Sequence, residues 1–273
     1  MSEATTDEVG AARDPEFLRA VRPMLELYAS YFRPEVRGFD RVPAEGPMLV
    51  VGNHSGGQLP PDVPVLLTAW WRERGEDEPV YALIHSFFLA LPGIGSVMAR
   101  GGGVDAGPAA AEAILAQGSI LIDYPGGDHE VFRPWSERNR IDFGGRAGVI
   151  RLALRAGVPI VPAVSIGAHE TVVVLSRGEA LAKRLGLDKR FRVSVMPLVL
   201  GPPFGIVPGG IPTFPLPSKV TVELLDPIDW SQRFGPDAAE DPAIVAVCYD
   251  ELTSTMQAAL DRLADERQYP VIG

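Results

Sequence analysis

Two kinds of apolar pattern succeed one another along the chain. Short β-prone runs, which are typical of strands, lie at about 47–52, 79–84, 96–100, 119–124, 158–166 and 219–226. Longer stretches with helical spacing lie at about 14–32, 63–74, 108–117, 144–156, 177–186 and from 241 onward. Because strands and helices alternate, the pattern predicts an α/β fold in which a mostly parallel central sheet carries helices on both faces.

The first and last helices have the clearest boundaries. Asp14 and Pro15 provide an N-cap and a first-turn proline. The apolar stripe of the first helix comprises Phe17, Val21, Met24, Tyr28 and Phe32. That of the last helix comprises Val245, Cys248, Leu252, Met256, Leu260 and Leu263. We expect both stripes to pack in the core, although the first also suits a membrane-facing amphipathic helix. No linker divides residues 14–273, which we interpret as one domain after a disordered tail at 1–13.

The composition restricts the class of protein. A length of 273 residues, with 46% hydrophobic and 22% charged residues, fits one globular α/β domain. The net charge of −10 argues against a nucleic-acid partner. The single cysteine excludes an intramolecular disulfide, and we find no signal peptide or uninterrupted membrane-spanning stretch. We therefore expect a cytoplasmic protein that is soluble or peripherally attached to the inner face of the membrane.

Residues 196–217 are unusual because they are apolar but rich in proline and glycine. The prolines exclude a long helix, and so many apolar side chains are uncommon in a solvated loop. We predict that part of this segment lies near the functional crevice, where it lines a channel for an apolar part of the ligand or touches a bilayer. The alternative is an apolar loop folded back over the core.

A candidate catalytic residue follows the first long strand. The run 49–52 ends in glycine, and the sequence Asn-His-Ser-Gly-Gly follows at 53–57. In α/β folds the carboxyl ends of the strands border the ligand crevice, so His54 is placed to act as a general base. The alternative is a structural or surface histidine.

Four sequence blocks resemble, in order, the motifs of the glycerolipid acyltransferases, a superfamily that includes the lysophosphatidic acid acyltransferases. The blocks are Asn-His-Ser at 53–55 with Asp62 downstream, an apolar segment ending in arginine at 93–100, Tyr-Pro-Gly-Gly-Asp-His-Glu at 124–130, and Val-Pro-Ile-Val-Pro-Ala at 158–163. Each block alone is unspecific. Four of them in this order within residues 36–166 make the chain similar to this superfamily.

The resemblance implies a glycerol-3-phosphate acyltransferase-like fold and an O-acyltransferase. Such an enzyme moves a fatty acyl group from acyl-CoA or acyl carrier protein to a hydroxyl of a glycerolipid or phospholipid, without a further cofactor. His54 would be the general base. The family's acid lies five residues after the histidine, where this chain has Leu59, and the first acid here is Asp62. We predict Asp62 as the partner of His54, with Asp128 and Glu130 as alternatives; Asp62 also suits an N-cap of the next helix.

The third block departs from the commonest family pattern, Phe-Pro-Glu-Gly-Thr-Arg. Gly126 replaces the glutamate and His129 replaces the arginine, two residues that the family associates with the glycerol-phosphate acceptor. The sequence here resembles more closely the branch that acylates diacylglycerol or long-chain alcohols. The predicted substrate contacts are Ser55, Gly56, Gly57, Arg100, Gly126, Gly127, His129, Glu130 and Arg133.

Arginines are concentrated after the third block of an otherwise acidic chain. Six lie within residues 133–155, and Arg100 ends the second block. Such side chains can bind a phosphate, coenzyme A or an anionic membrane surface, or they can form an ordinary solvated surface. We expect Arg100 and Arg133 to contact the ligand.

Two other functions are compatible with the sequence. Ser55 beside His54 suggests a lipid ester hydrolase, although adjacent side chains of an extended chain point apart and no Gly-x-Ser-x-Gly elbow occurs. The displaced Asp62 suggests a lipid-binding protein that lacks catalysis. We interpret His85 and His169 as structural, and expect no metal site because no two histidines have metal-ligand spacing. The glycines at 101–103 predict a flexible turn.

Overall fold

The architecture is taken from a computed structural model that describes residues 9–186 and 195–269. The strands are β1 (Glu35–Arg37), β2 (Met48–Gly52), β3 (Val80–Ile84), β4 (Gly103–Asp105), β5 (Ile120–Asp123), β6 (Ile160–Ile166), β7 (Val173–Ser176), β8 (Leu198–Gly201), β9 (Gly205–Pro208) and β10 (Thr221–Leu224). The helices are α1 (Pro15–Ser30), α2 (Asp62–Arg74), α3 (Ser86–Leu89), α4 (Ile94–Arg100), α5 (Pro108–Ala116), α6 (Gly127–Val131), α7 (Gly148–Ala156), α8 (Glu179–Arg184) and α9 (Pro242–Asp265).

The main sheet has seven strands in the order β1-β10-β6-β2-β5-β3-β4. The five strands from β6 to β4 are parallel to one another. At the other side β10 runs antiparallel to β6 and pairs with β1. The prediction of a mostly parallel sheet is confirmed. The carboxyl ends of the five parallel strands therefore meet at one edge.

Strand β2 shows why the sheet carries helices on both faces. Met48 and Val50 pack in a cluster with residues of α1 and α2, whereas Leu49 and Val51 pack with residues of α5, α7 and α9. All four side chains are fully buried. A strand covered on both sides has no polar positions, which is why 48–51 is a continuous apolar run.

The two terminal helices follow the predicted patterns to different degrees. In α9 every residue of the predicted stripe is buried, including Cys248. In α1 the Asp14 carboxylate accepts the Phe17 amide hydrogen at 3.0 Å, as expected of an N-cap. However, α1 buries Leu18 and Ala29, while Met24 is 66% exposed. The prediction that the Met24 stripe faces the core is therefore wrong for this residue.

Two other predictions from the apolar pattern are also wrong. Residues 96–100 do not form a strand; they belong to α4, in which Ile94, Val97 and Met98 have the spacing of one helical face. The neighbouring strand is β4, which includes Gly103 from the predicted flexible turn. A short run of apolar residues does not by itself distinguish a strand from a helical turn.

The predicted disordered tail, residues 1–13, includes residues that have defined contacts in the structure. Residues 1–8 lie outside the described part of the chain, but residues 9–13 pack against the main sheet. Arg13 donates hydrogen bonds to the carbonyl oxygens of Glu76, Glu78 and Val80. These contacts attach this segment to the start of β3.

A second, smaller sheet takes two of its three strands from the proline-rich segment. Strands β7, β8 and β9 form a three-stranded antiparallel sheet with β8 in the middle. Residues 196–217 therefore contain a hairpin and not an irregular loop alone. Among the described helices, none is long and apolar enough to cross a membrane.

Candidate active site

His54 and Asp62 form a hydrogen-bonded pair at the carboxyl edge of the main sheet. His54 lies just beyond β2, and its Nδ1 is 3.1 Å from Asp62 Oδ2. Asp62 is 1% exposed, whereas the His54 side chain is 18% exposed. When Nδ1 carries the proton that it donates to Asp62, Nε2 has a free lone pair and can accept a proton. Among the residues that the structure describes, none forms a hydrogen bond with Nε2.

Two glycines return the lengthened loop to the imidazole. Gly56 and Gly57 have φ values of 107° and 68°, a conformation that favours glycine. A Cβ on Gly56 would lie 2.6 Å from Pro61 Cδ, so the turn has no space for a side chain. Asp62 thereby reaches His54 although it lies three residues beyond the family position. It is the first residue of α2, with Pro61 at the cap position, so it is not an N-cap.

The amides of this loop are mostly engaged within the protein. The Ser55 amide donates to Asp62 Oδ2 at 2.7 Å, and the Gly57 amide donates to the Val131 carbonyl oxygen at 3.4 Å. Ser55, Gly56 and Gly57 are all buried. The structure therefore gives the two glycines a role in shaping the loop, and does not place the Ser55 and Gly57 amides as free donors for a substrate.

Opposing effects act on the basicity of His54. Desolvation lowers the pKa of the imidazole, but the adjacent Asp62 carboxylate raises it, and the net effect is a raised pKa. The ring packs against Tyr124, with centroids 4.8 Å apart. Gly52 makes this possible, because a Cβ there would lie 2.4 Å from the Tyr124 ring. Next to Tyr124, burial raises the pKa of Asp123 to about 6.

Glu130 and Arg133, two predicted substrate contacts, are fully buried and contact the His54 loop (residues 53–62) instead. Glu130 Oε2 accepts the His54 amide hydrogen at 2.8 Å, and Arg133 Nη2 donates to Ser55 Oγ at 3.0 Å. Arg133 Nη1 lies 2.7 Å from Glu130 Oε1. Burial raises the pKa of Glu130, and the positive charge of Arg133 acts in the opposite direction. Neither side chain reaches the surface, so the structure gives no support to the predicted direct contact of this pair with a substrate.

The remaining residues of the third block lie around this pair. A Cβ on Gly126 would lie 2.3 Å from Glu130 Oε2, so the carboxylate occupies the space beside this glycine. Gly127 is the first residue of α6. His129 turns away from His54: its Nε2 is 3.2 Å from Asp142 Oδ2 and its Nδ1 is 3.7 Å from Glu179 Oε1.

Arg100 is not part of the cluster around His54. Its guanidinium is 2.6 Å from Asp14 Oδ2 and 4.2 Å from the centroid of the Phe17 ring. These contacts join the end of α4 to the start of α1. Arg100 therefore packs between α4 and α1. Its position gives no support to the predicted contact with a ligand.

Sequence reasoning missed the role of Asn53. Its side chain donates to the Ser165 carbonyl oxygen at 2.9 Å and accepts the Ser165 amide hydrogen at 2.7 Å. This reciprocal pair ties the end of β2 to the end of β6. The sequence feature that could have indicated this role is the position of the asparagine directly before His54 in the first block.

The other histidines have structural contacts. His85 caps α3 by accepting the Phe87 amide hydrogen at 3.1 Å. His169 is buried with Nε2 2.8 Å from the Arg133 carbonyl oxygen, and burial lowers its pKa to about 3. Within residues 9–186 and 195–269, no group of three His, Cys, Asp or Glu side chains could hold a metal ion.

The fold and the site together define an α/β protein with a histidine–carboxylate pair at the edge of its sheet, and comparison with known proteins identifies its family. Residues 33–166 match the family model Acyltransferase. The chain is 33% identical, over 97% of its length, to an uncharacterized protein of Mycobacterium tuberculosis, of which it covers 71%. The chain belongs to the acyltransferase family.

Two more distant similarities concern named proteins. The chain is 27% identical over 86% of its length to the DGAT1/2-independent enzyme synthesizing storage lipids of Bos taurus, of which it covers 60%. Its structure resembles the crystal structure of the 1-acyl-sn-glycerophosphate acyltransferase PlsC of Thermotoga maritima with a TM-score of 0.58. That match has 16% identity and covers 92% of this chain and 81% of the other. At 16% identity this structural similarity establishes the fold alone.

Proposed function

We propose that this protein is an O-acyltransferase that moves a fatty acyl group from acyl-CoA or acyl carrier protein to a hydroxyl of a lipid. The observation that carries the proposal is the His54–Asp62 pair, in which a partly exposed imidazole is held by a buried carboxylate 3.1 Å away. The thioester is already an activated acyl donor, so the reaction needs no further cofactor. The family membership supports acyl transfer as the reaction.

The pair can perform the proton transfer that this reaction requires. Nε2 of His54 removes the proton of the acceptor hydroxyl while its oxygen attacks the thioester carbonyl carbon. The resulting tetrahedral oxyanion collapses, the carbon–sulfur bond breaks, and the leaving thiolate takes the proton from the imidazolium. Asp62 stabilises the imidazolium between these two steps and holds the ring in the required tautomer. The products are an ester and a free thiol.

We propose an uncharged acceptor, such as a diacylglycerol or a long-chain alcohol. Two arginines near the third block have protein partners: Arg133 lies 2.7 Å from Glu130, and Arg146 lies 2.7 Å from Asp128. Arg100 lies 2.6 Å from Asp14. None of these three is positioned as a free phosphate clamp beside His54. The name of the Bos taurus relative, an enzyme that synthesizes storage lipids, points in the same direction.

The site does not favour the two alternative functions. Ser55 is buried, and its Oγ is 3.0 Å from Arg133 while His54 Nδ1 faces Asp62. A serine in these contacts is poorly placed as the nucleophile of a hydrolase. The hypothesis of a lipid-binding protein without catalysis depended on the displaced Asp62. Since Asp62 still reaches the imidazole, that reason no longer applies.

A screen of acceptors tests the proposed acceptor class. The purified protein is incubated with acyl-CoA and, in separate reactions, with diacylglycerol, monoacylglycerol, a long-chain alcohol and lysophosphatidic acid, and both free thiol and ester are measured. We expect ester from the uncharged acceptors and little from lysophosphatidic acid. A clear preference for lysophosphatidic acid would contradict the uncharged acceptor. Fatty acid released without any acceptor, and lost in Ser55→Ala, would favour the hydrolase.

We also propose that the protein attaches peripherally to the inner face of the membrane, where a lipid acceptor is available. Tyr28 of α1 donates to the Leu59 carbonyl oxygen at 2.8 Å, and Gln58 donates to the Ile211 carbonyl oxygen at 3.3 Å. These bonds join α1, the His54 loop and the segment 196–217. Exposed apolar side chains on these three parts are Met24, Leu27, Leu59, Leu198, Leu200, Phe204, Ile206, Ile211 and Phe214. Apolar side chains grouped in this way beside a crevice suit contact with a bilayer.

Flotation with liposomes tests this attachment. We expect Phe204→Ser combined with Phe214→Ser to weaken binding, because each phenylalanine is more than half exposed and would otherwise insert its ring among lipid chains. Val247→Ser on α9 is the matched control, since Val247 is 57% exposed but lies on a helix outside this region. Equal loss of binding in the control, or a fall in melting temperature alone, would contradict the assignment.

A further inference from the structure

Two consecutive amides at the catalytic histidine are held by two different carboxylates. The His54 amide donates to Glu130 Oε2 at 2.8 Å, and the Ser55 amide donates to Asp62 Oδ2 at 2.7 Å. Arg133 completes the arrangement, with Nη2 3.0 Å from Ser55 Oγ and Nη1 2.7 Å from Glu130 Oε1. The backbone of the His54 loop is therefore bound both to Glu130 of the third block and to Asp62 of α2.

Glu130 and Arg133 have the same spacing as the glutamate and the arginine of the common family pattern, which this chain lacks at their usual positions. The common pattern places a glutamate and an arginine three residues apart, where this chain has Gly126 and His129. Glu130 and Arg133 are likewise three residues apart, but four residues later in the chain, which is about one turn of helix. In space the displacement is small, because a Cβ on Gly126 would lie only 2.3 Å from Glu130 Oε2. The carboxylate thus lies where a side chain at position 126 would begin.

We propose that Glu130 and Arg133 are a displaced pair of positioning residues, which fix the backbone at His54 for acyl transfer and do not contact the acceptor. This inference rests on the proposed function of His54 as the base. It explains why Gly126 is tolerated in place of the glutamate: the carboxylate comes from the next turn. It also explains why both residues are fully buried.

The pair also sets part of the charge around the imidazole. Asp62 approaches His54 from α2, Asp123 and the Tyr124 phenol from β5 and its end, Glu130 from the third block and Arg133 from just after it. The negative charge of Glu130 favours the protonated imidazole, whereas the positive charge of Arg133 disfavours it. Removing either charge should therefore shift the protonation of His54, and in opposite directions.

The pH dependence of kcat/KM, together with kcat and KM, provides the test. The variants are Glu130→Gln, Arg133→Met and the uncharged combination of both, which avoids leaving one buried charge alone if a single variant fails to fold. Glu170→Gln is the matched control, because Glu170 is also buried and lies 2.9 Å from Arg267 without a contact to the His54 loop. We expect kcat to fall about ten- to a hundredfold in Glu130→Gln, with the acceptor KM little changed, since a small misplacement of the base is costly.

The acidic limb of the profile distinguishes positioning from a general loss of stability. We expect this limb to move to lower pH in Glu130→Gln and to higher pH in Arg133→Met, and to stay in place in Glu170→Gln. An unmoved limb in Glu130→Gln, with a loss of kcat no larger than in the control, would overturn the inference. A rise in the acceptor KM at constant kcat would also overturn it, by indicating a contact with the acceptor. If His54→Ala keeps full activity, the proposed function itself fails instead.

Discussion

Replacing Asp123 with asparagine should stabilise the protein at neutral pH and have little effect in acid. Asp123 ends β5 at the carboxyl edge, and burial raises the pKa of its carboxyl group from 3.8 to about 6. The folded state therefore favours the neutral acid. Well below pH 3.8 the carboxyl group is protonated in both states, so it does not lower the stability of the folded protein. As the pH rises from there through 6, the unfolded chain ionises first and stability is lost.

The size of the effect follows from the difference between the two pKa values. About two pK units correspond to roughly 3 kcal/mol at a pH above 6. Because Asp123 is only partly shielded from solvent, we take about 1–3 kcal/mol as the expected gain of the asparagine variant at pH 7.5. For a chain of this length that gain corresponds to a rise in melting temperature of roughly 2–10 °C.

Thermal unfolding of both proteins at pH 3.0 and pH 7.5 measures the effect. We expect Asp123→Asn to melt at the higher temperature at pH 7.5, and the two proteins to melt together at pH 3.0. An equal difference at both pH values would show that the change alters packing and not ionisation. A variant that is less stable at pH 7.5 would refute the reasoning, because it would mean that the ionised carboxylate contributes to the fold.

Three further substitutions probe the site. Asp62→Asn should lower kcat about 10²–10⁴-fold, because the imidazolium loses its carboxylate; a loss below about tenfold in a thiol-release assay would argue against the pairing. Ser55→Ala should keep most of the transferase activity, since Ser55 Oγ contacts Arg133 and not the imidazole; abolished activity would give the hydroxyl a chemical role. Gly126→Ala should displace Glu130 and lower the free energy of unfolding by about 1–3 kcal/mol, as measured in urea, and an unchanged midpoint would contradict this.

The sequence was a good guide to the main sheet and to the last helix. The alternation of strands and helices predicted the parallel sheet, and the buried stripe of α9 from Val245 to Leu263 was predicted in full. The pairing of His54 with Asp62 was predicted from the resemblance to the family's first block, and in the structure the glycines at 56 and 57 allow the longer loop to return. The sheet and the α9 stripe depend on local spacing, which the sequence displays directly.

Other features depend on directions that spacing does not determine. Glu130 and Arg133 are polar residues after a strand end, where solvent-facing and buried positions look alike in sequence. Glu130 on α6 and Arg133 just beyond it are buried because both side chains turn toward the His54 loop. The apolar surface of α1 at Met24 has the same cause, since helical periodicity predicts a stripe but not whether protein covers it.

The most direct test of the central claim is the rate of ester formation by the wild-type protein and by His54→Ala and His54→Gln. The reaction contains acyl-CoA and the best uncharged acceptor, and thiol and ester are measured in parallel. Circular dichroism verifies that all three proteins are folded. If His54 is the general base, the wild type should release one thiol for each ester formed, and both variants should be slower by at least about 10²-fold. Ester formation by either folded variant at the wild-type rate would contradict the assignment of His54 as the base.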